Sequence, residues 1–544
     1  MPDTDPPETR PTVVLERDRQ LSQSIVWQLQ QHYFEQQGIE AWRNGAVPHY
    51  ITSNPFFAHA YARVVDAYLR DCEATALCPD QPLHIIELGA GPGRFAFHFL
   101  KRLMELRGSS SPSGPRVRYV MTDFAGANVN YWRQHASLQP FLESGYLDLA
   151  RFDAQQDGPL ELVQSGDLLA EGMLRNPLVI IANYFFDCIP QDVFAIQEGK
   201  LHEARVTITS EQPEPDLSDP GLISRIQLDY DPRATQAHGY YEDPDFNQIL
   251  ADYEQRLGDT GFLIPIAGLR TLRYFLRLSG GRALVLCADK GFHWEEDLFG
   301  SAPEMVLHGG SFSMMLNFDA LGRYVTARGG RVLSTSRRRA SIDIAAFLAG
   351  EHPAAFPRTR DAFDEAIERF GPDDYFTLVS GLDRRQNDMT LEEMLAWLRL
   401  GRGDTGVLMS IFPALIEAVP AAPDALRDDL YTLVRSLAEG YFDIGEEYNL
   451  PFYLGTLLYT MGYYAEAQGH LERAAVGRPP DARTLYNLAL CRYAVGELDS
   501  TLDYLAQALA ADAACQPAKA LRIKIESMIK RRSARPSAGP ALTR

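Results

Sequence analysis

From Leu21 to Glu40, and again in "NPFFAHAYARVVDAYLRD" (Asn54 to Asp71), apolar residues recur at three- and four-residue intervals, which predicts a helical cap over residues 21–80. The period then changes. "LHIIELG" is a short apolar strand, "RFAFHFLKRLMEL" a helix, "VRYVMTD" a strand, "GANVNYWRQHA" a helix, and "LDLARFDA" and "NPLVIIAN" two further strands. After an interruption the alternation resumes with a helix around Ala267 to Leu278, the strand "RALVLCAD", and the pair "FDALGRYVTARGG" and "RVLSTS". Strands alternating with helices predict an α/β fold, a doubly wound parallel sheet with helices on both faces, over residues 81–350. The interruption, about 202–260, begins "HEARVTITSEQPEPDLSDP"; it is acidic and broken by Pro and Gly, and is expected to be an insertion. Residues 1–20, rich in Pro, Asp, Glu and Thr without apolar period, are expected to be a flexible N-terminus.

Beyond about Ala340 helical spacing dominates, and 351–448 is expected to be a helical connector. A repeat follows. Gly455, Gly462, Tyr464, Ala467, Leu471 and Ala474 are answered 34 positions later by Ala489, Gly496, Leu498, Thr501, Leu505 and Ala508, the period of a tetratricopeptide repeat. An all-α repeat domain with a capping helix is therefore expected over 449–530, and a disordered tail over 531–544. Such repeats imply a protein partner or substrate, or a homodimer contact.

The formal charge of -20 disfavours nucleic acid and anionic membranes as partners. No apolar run approaches the roughly 20 residues that span a bilayer. The N-terminus lacks the pattern of a secretory signal, and the six cysteines lack paired metal-ligand spacing, so a cytoplasmic protein with reduced thiols and no metal site is expected. The acidic run Glu211 to Asp219 and the basic run Arg337 to Arg339 are expected to be solvated.

Between the first strand and the first helix lies Gly89-Ala90-Gly91-Pro92-Gly93, a turn that lets backbone approach a ligand at the carboxyl edge of the sheet. A dinucleotide turn would place its third glycine at Arg94, and no Gly-Lys-Ser/Thr follows to make a phosphate loop. The spacing Glu87, Gly89, Gly91, Gly93 instead resembles the first motif of class I S-adenosylmethionine (SAM) methyltransferases, with their Rossmann-like sheet. That resemblance implies SAM as cofactor, with Asp123 on the ribose hydroxyls and Asp153, beside Ala154, on the adenine. The strand-end aspartates are also readable as helix caps.

"VIIANYFFDCIPQDVF" (Val179 to Phe194) narrows the resemblance to the MidA-like family, which includes a mitochondrial arginine methyltransferase assisting complex I assembly. Asn183, Phe185, Asp187 and Pro190 match its motif; "HYITS", "ADKGF" and "HGGSFSMMLNFDALGRYVTARGG" agree with it elsewhere. Tyr184 stands where the family has an acid, and Lys290 where it has Tyr. An ammonium at Lys290 disfavours a cationic acceptor nearby. The resemblance implies that Asn183 lies near the departing methyl. Asp187 is the candidate proton acceptor, with Tyr184 and Asp289 behind it; Asp187 is equally readable as a helix N-cap. His293 and His308 flank segments able to cover the pocket, or are structural. The function implied is methyl transfer from SAM to a protein side chain, arginine included, or to a small-molecule nucleophile. A SAM-binding scaffold without turnover, acting through its repeats, is the alternative.

Overall fold

The sheet that positions the site has seven strands: β1 (Leu83–Leu88), β2 (Val117–Asp123), β3 (Leu147–Arg151), β4 (Leu178–Asn183), β5 (Ala283–Asp289), β6 (Arg331–Ser334) and β7 (Asp343–Ala349). They lie in the order β6-β7-β5-β4-β1-β2-β3. Strands β1 to β5 run parallel to their neighbours, and β7 runs antiparallel to both β5 and β6. Every residue of β1 and β5 is buried, as expected of strands covered on both faces, and this is why they read as unbroken apolar runs. The chain leaves β1 toward β2 on one side and crosses to β4 on the other, so the carboxyl ends of β1 and β4 flank a crevice.

The computed structural model describes residues 13–74, 77–108, 116–156, 158–214, 216–300, 303–337, 341–350, 356–446, 448–476 and 481–533. It divides into two units, 1–379 and 380–544. Among the described residues no helix is long and apolar enough to cross a membrane.

In the first unit, helix α1 (Ile25–Gln37) and the long helix α2 (Pro55–Glu73) precede β1, and α3 (Arg94–Gly108) follows the glycine turn. Asn54 caps α2, its side chain accepting from Phe57 N at 2.9 Å, and Pro55 sits at the first helical position. Phe57 and Tyr61 of α2 meet Phe95 of α3 edge-on, with centroids 5.9 and 5.7 Å apart.

Three expectations are corrected here. The segment 202–260 is no irregular insertion: Lys200–Ser210 pairs along one edge with Ile226–Ala234 and shares its other edge between Asp192–Gln197 and Val13–Arg19. Thr260–Ile264 completes this five-stranded antiparallel sheet. Ala204, Val206 and Ile208 alternate inward against Trp27 and Leu29, a period-2 signal that the acidic turn beyond it outweighs. Residues 13–19 are likewise an edge strand, whereas 1–12 lie outside the described residues. Finally, "DIAAFLA" is strand β7, not helix; a fully buried strand has no polar face, so periodicity cannot separate it from a buried helix.

The expected connector is divided between the units. Helices Pro357–Phe363 and Pro372–Val379 belong to the first: Thr359 donates to Asp71 Oδ2 through its N–H at 2.9 Å and its hydroxyl at 2.8 Å, and Tyr375 stacks on Phe56 at 4.3 Å. Arg337 is not simply solvated, since it pairs with Asp374 at 2.9 Å; Arg338 and Arg339 lie outside the described residues. In the acidic run, Glu214 and Asp219 clasp Arg225 at 2.9 and 2.6 Å.

The second unit is all helical. Leu450–Met461 packs on Tyr464–Ala474, Ala482–Ala494 on Leu498–Ala511, and Gln516–Ser533 closes the series. A Cβ on Gly455 would stand 2.7 Å from Leu471 Cγ, so glycine sets how closely the first pair crosses. Asp424–Glu439 packs against Leu450–Met461. The helix runs into the expected tail as far as Ser533, and 534–544 lie outside the described residues.

Candidate active site

The turn from Gly89 to Gly93 needs its glycines for conformation and for contact. Gly89, Gly91 and Gly93 have φ of +62°, +51° and +83°, a region side-chain-bearing residues rarely adopt. A Cβ on Gly89 would meet the Phe185 ring at 3.0 Å, and one on Gly91 the Trp42 ring at 3.1 Å. Gly93 differs: its Cβ would strike Met121 at 2.8 Å and Trp132 at 3.2 Å, so it serves helix-to-strand packing behind the cleft. Trp132 Nε1 donates to Gly91 O at 2.9 Å and fixes the turn.

In front of the turn is a cleft with about 1490 Å³ of empty space, its open mouth included. Glu87, Gly89, Gly91, Asp123, Asp153, Ala154, Asn183, Tyr184 and Asp187 all line it; among the sequence-derived candidates for the cofactor and the chemistry, Gly93 and Asp289 do not. Its other walls include Phe34 of α1, Trp42 of the short helix Glu40–Arg43, and His49, the first residue of "HYITS". Phe34 stacks on Trp42 at 5.6 Å, an aromatic spacing that only the tertiary fold turns toward the glycines. His308, Ser311 and Ser313 close the cleft from the hairpin Met305–His308/Ser311–Met314, with His308 Nε2 2.9 Å from Ser313 Oγ. His293 does not line it; it is buried against Phe318, with its Nε2 3.6 Å from Asp343.

Two carboxyls lie at the glycine end. Burial pushes the Glu87 carboxyl up to about 8, the charge of Asp123 adding to the effect and the Tyr119 hydroxyl, donating at 2.9 Å, opposing it. Asp123 is pushed up to about 6 by burial, held back by N–H groups and the Asn128 amide. Its Oδ1 accepts from Ala125 N at 3.0 Å; its Oδ2 accepts from Asn128 at 3.0 Å and Gly91 N at 3.3 Å. Asp123 therefore both caps the following turn and lines the cleft, so the two readings of this residue coexist. Asp153, past the end of β3, accepts from Gln155 N at 2.9 Å and Gln156 at 2.8 Å. Among the described residues neither Glu87 nor Asp123 has a Lys or Arg within ion-pair distance.

At the other end, both polar atoms of the Asn183 amide are buried without a hydrogen-bond partner. Such a group is costly unless something in the cleft satisfies it. Tyr184, which follows, sits at φ +50° with its N–H on Ala288 O at 2.8 Å, a left-handed conformation strained for an aromatic residue. Asp187 is not a helix N-cap; it lies in the 3-10 turn Phe186–Cys188, buried beside Asp289. Burial raises both carboxyls, Asp289 further because the charge of Asp187 faces it. Asp289 accepts from Phe185 N at 3.0 Å and from the Cys287 thiol at 3.0 Å.

Desolvated carboxyls at one end and an unsatisfied amide donor and acceptor at the other fit a ligand carrying an ammonium, a sulfonium and a carboxylate. Residues 68–286 match the model of a family described as "Putative S-adenosyl-L-methionine-dependent methyltransferase". Among curated proteins none matches the chain. Among solved structures, a Burkholderia thailandensis protein bound to S-adenosyl-homocysteine is similar over 60% of this chain and 75% of its own, with 16% identity and a TM-score of 0.35. A second structure from that organism and superfamily, described as uncharacterised, is similar over 56% of this chain and 73% of its own, at 16% identity and a TM-score of 0.34. Residues 68–286 are thus similar to a family of putative S-adenosyl-L-methionine-dependent methyltransferases, and S-adenosyl-L-methionine is the cofactor that this match assigns to the site.

Proposed function

We propose that the first unit is a class I, MidA-like methyltransferase that moves the methyl group of SAM to a protein side chain or a small-molecule nucleophile. The observation that carries this is the unpartnered Asn183 amide, buried at the end of β4 on the cleft that the glycine turn and Asp187 also line. The sheet order, with an antiparallel β7 between β5 and β6, supports the class I assignment.

The cofactor supplies an electrophilic methyl carbon on a positively charged sulfur. The chain supplies placement: Glu87 favours a cationic ligand, Asp123 accepts from the ribose hydroxyls, the turn at Gly89 and Gly91 admits close approach, and Asn183 lies beside the methionyl part near the departing methyl. Trp42 and Phe34 exclude water. Asp187, with Asp289 behind it, takes the proton of a hydroxyl or amine acceptor. The helical second unit recruits a protein partner, and the protein acts in the cytoplasm.

A scaffold that binds SAM without turnover is favoured by one feature, the strained Tyr184 in place of the family's acid. Calorimetry with SAM, followed by labelled SAM in host lysate with protein and metabolite fractions separated, tests both. Label in either fraction supports the enzyme, SAM binding without transfer supports the scaffold, and binding of NAD in place of SAM overturns the proposal.

A further inference from the structure

A second cavity adjoins the cofactor cleft, with about 1190 Å³ of empty space including its mouth. Val47, Pro48, His49, Tyr184 and Lys290 line both cavities, so they form the partition between them. The far walls combine Tyr50, Ile51, Met315 and Phe376 with the polar Ser341 and Asp343, the Tyr50 and Phe376 rings lying 6.4 Å apart. A cavity of this size and lining suits a compact organic molecule better than water.

Its charge is decided by two groups. Lys290 follows the last residue of β5 and lines both cavities, and among the described residues no carboxylate lies within 4.0 Å of its ammonium. The opposing carboxyl is Asp343, pushed up to about 7 by burial, against the pull of the Gly291 N–H and with Asp373 and Asp297 adding to the rise. Burial thus favours its neutral form, and Lys290 is the cation on the lining of this cavity.

We propose that this second cavity is the acceptor site, and that it takes a small aromatic acid carrying a nucleophilic hydroxyl, its carboxylate held by Lys290. The assignment rests on the methyltransferase reading above and adds the acceptor class. An arginine side chain would place a second cation against Lys290, whereas a carboxylate gains a charge-assisted hydrogen bond there. The ring lies between Tyr50, Phe376 and Tyr184, and its hydroxyl points through the partition toward Asp187. There a lone pair of the acceptor oxygen forms the new bond to the methyl carbon, the C–S bonding pair returns to sulfur to leave a neutral thioether, and the hydroxyl proton passes to Asp187.

Calorimetry of 4-hydroxybenzoate against the full-length protein saturated with S-adenosyl-homocysteine tests this, beside benzylamine and an arginine-containing peptide at equal concentration. The expected result is that 4-hydroxybenzoate binds and the two cations do not, that Lys290→Met weakens it at least tenfold, and that Lys290→Arg, which keeps the charge, restores it to within about threefold. Lys290 is exposed, so both variants should fold. If S-adenosyl-homocysteine itself fails to bind the unaltered protein, the methyltransferase reading falls and this assignment with it. If it binds but 4-hydroxybenzoate does not, or Lys290→Met binds it as well as the unaltered protein, or the arginine peptide binds more tightly, the anionic acceptor alone is overturned.

Discussion

Gly91 concentrates two demands in one residue. Its φ of +51° excludes an ordinary side chain, and a Cβ there would push on the Trp42 ring that covers the cleft. Gly91→Val should lower SAM affinity at least 100-fold, about 3 kcal/mol, while circular dichroism stays that of a folded chain. Asp187 makes a different prediction. As a proton acceptor it matters to turnover, so Asp187→Asn should cut kcat by on the order of 100-fold and change SAM affinity by less than threefold. Equal losses in both would leave it a wall of the site. Glu87 and Asp123 predict a pH signature with opposite signs for stability and for binding. Folding raises Glu87 from 4.5 to about 8 and Asp123 from 3.8 to about 6, so the folded chain keeps protons the unfolded chain has released. The stability this confers is complete below pH 3.8, and it is lost as pH rises, mainly between 4.5 and 8. A cationic ligand favours the ionised carboxyls, so SAM should bind more tightly from pH 6 to 8 and release protons. Calorimetry in two buffers of different ionisation enthalpy measures that release directly.

At the scale of elements, the helix Pro357–Phe363 is tied to α2 through one buried acceptor, Asp71 Oδ2, which receives both the N–H and the hydroxyl of Thr359. Asp71→Ala strands a buried N–H and a buried hydroxyl, and should cost about 2 kcal/mol of unfolding free energy by denaturant titration. Neither residue lines the cofactor cleft, so the dissociation constant of SAM should not change. A loss of SAM binding in a protein of normal stability would show that α2 transmits strain to the glycine turn.

For the whole molecule, the boundary between units falls after Val379, some way beyond the last strand. A chain ending at Val379 should stay monomeric and folded and should bind SAM. One ending at Gly350 loses the Thr359 bonds to Asp71 and the stacking of Tyr375 on Phe56, and should aggregate or melt at a lower temperature in differential scanning calorimetry. Loss of protein-substrate methylation in the chain ending at Val379, with SAM binding retained, would support recruitment by the helical unit. Retained methylation would assign that unit a role outside catalysis.

Most of the cofactor half of the site was legible because its signals are local: a strand, a glycine turn and a helix occur in order, and the acids stand at strand ends where a parallel sheet brings them to one edge. Asp123, Asp153, Asn183 and Asp187 could therefore be placed from order alone. Gly93 could not be told from its neighbours, because its contacts are with Met121 and Trp132 from other elements. The lid residues Phe34 and Trp42 carry no motif, and His49 opens the segment "HYITS" with no role readable from it; the three line the cleft only in the folded chain. Strand β7 was hidden for a related reason, since a strand buried on both faces has no polar alternation to declare itself. The amino-acid order determined which residues could meet the cofactor, whereas the charge at Lys290 acquired its place between two cavities only when distant segments closed around it, because exposure and pairing are properties of neighbours in space.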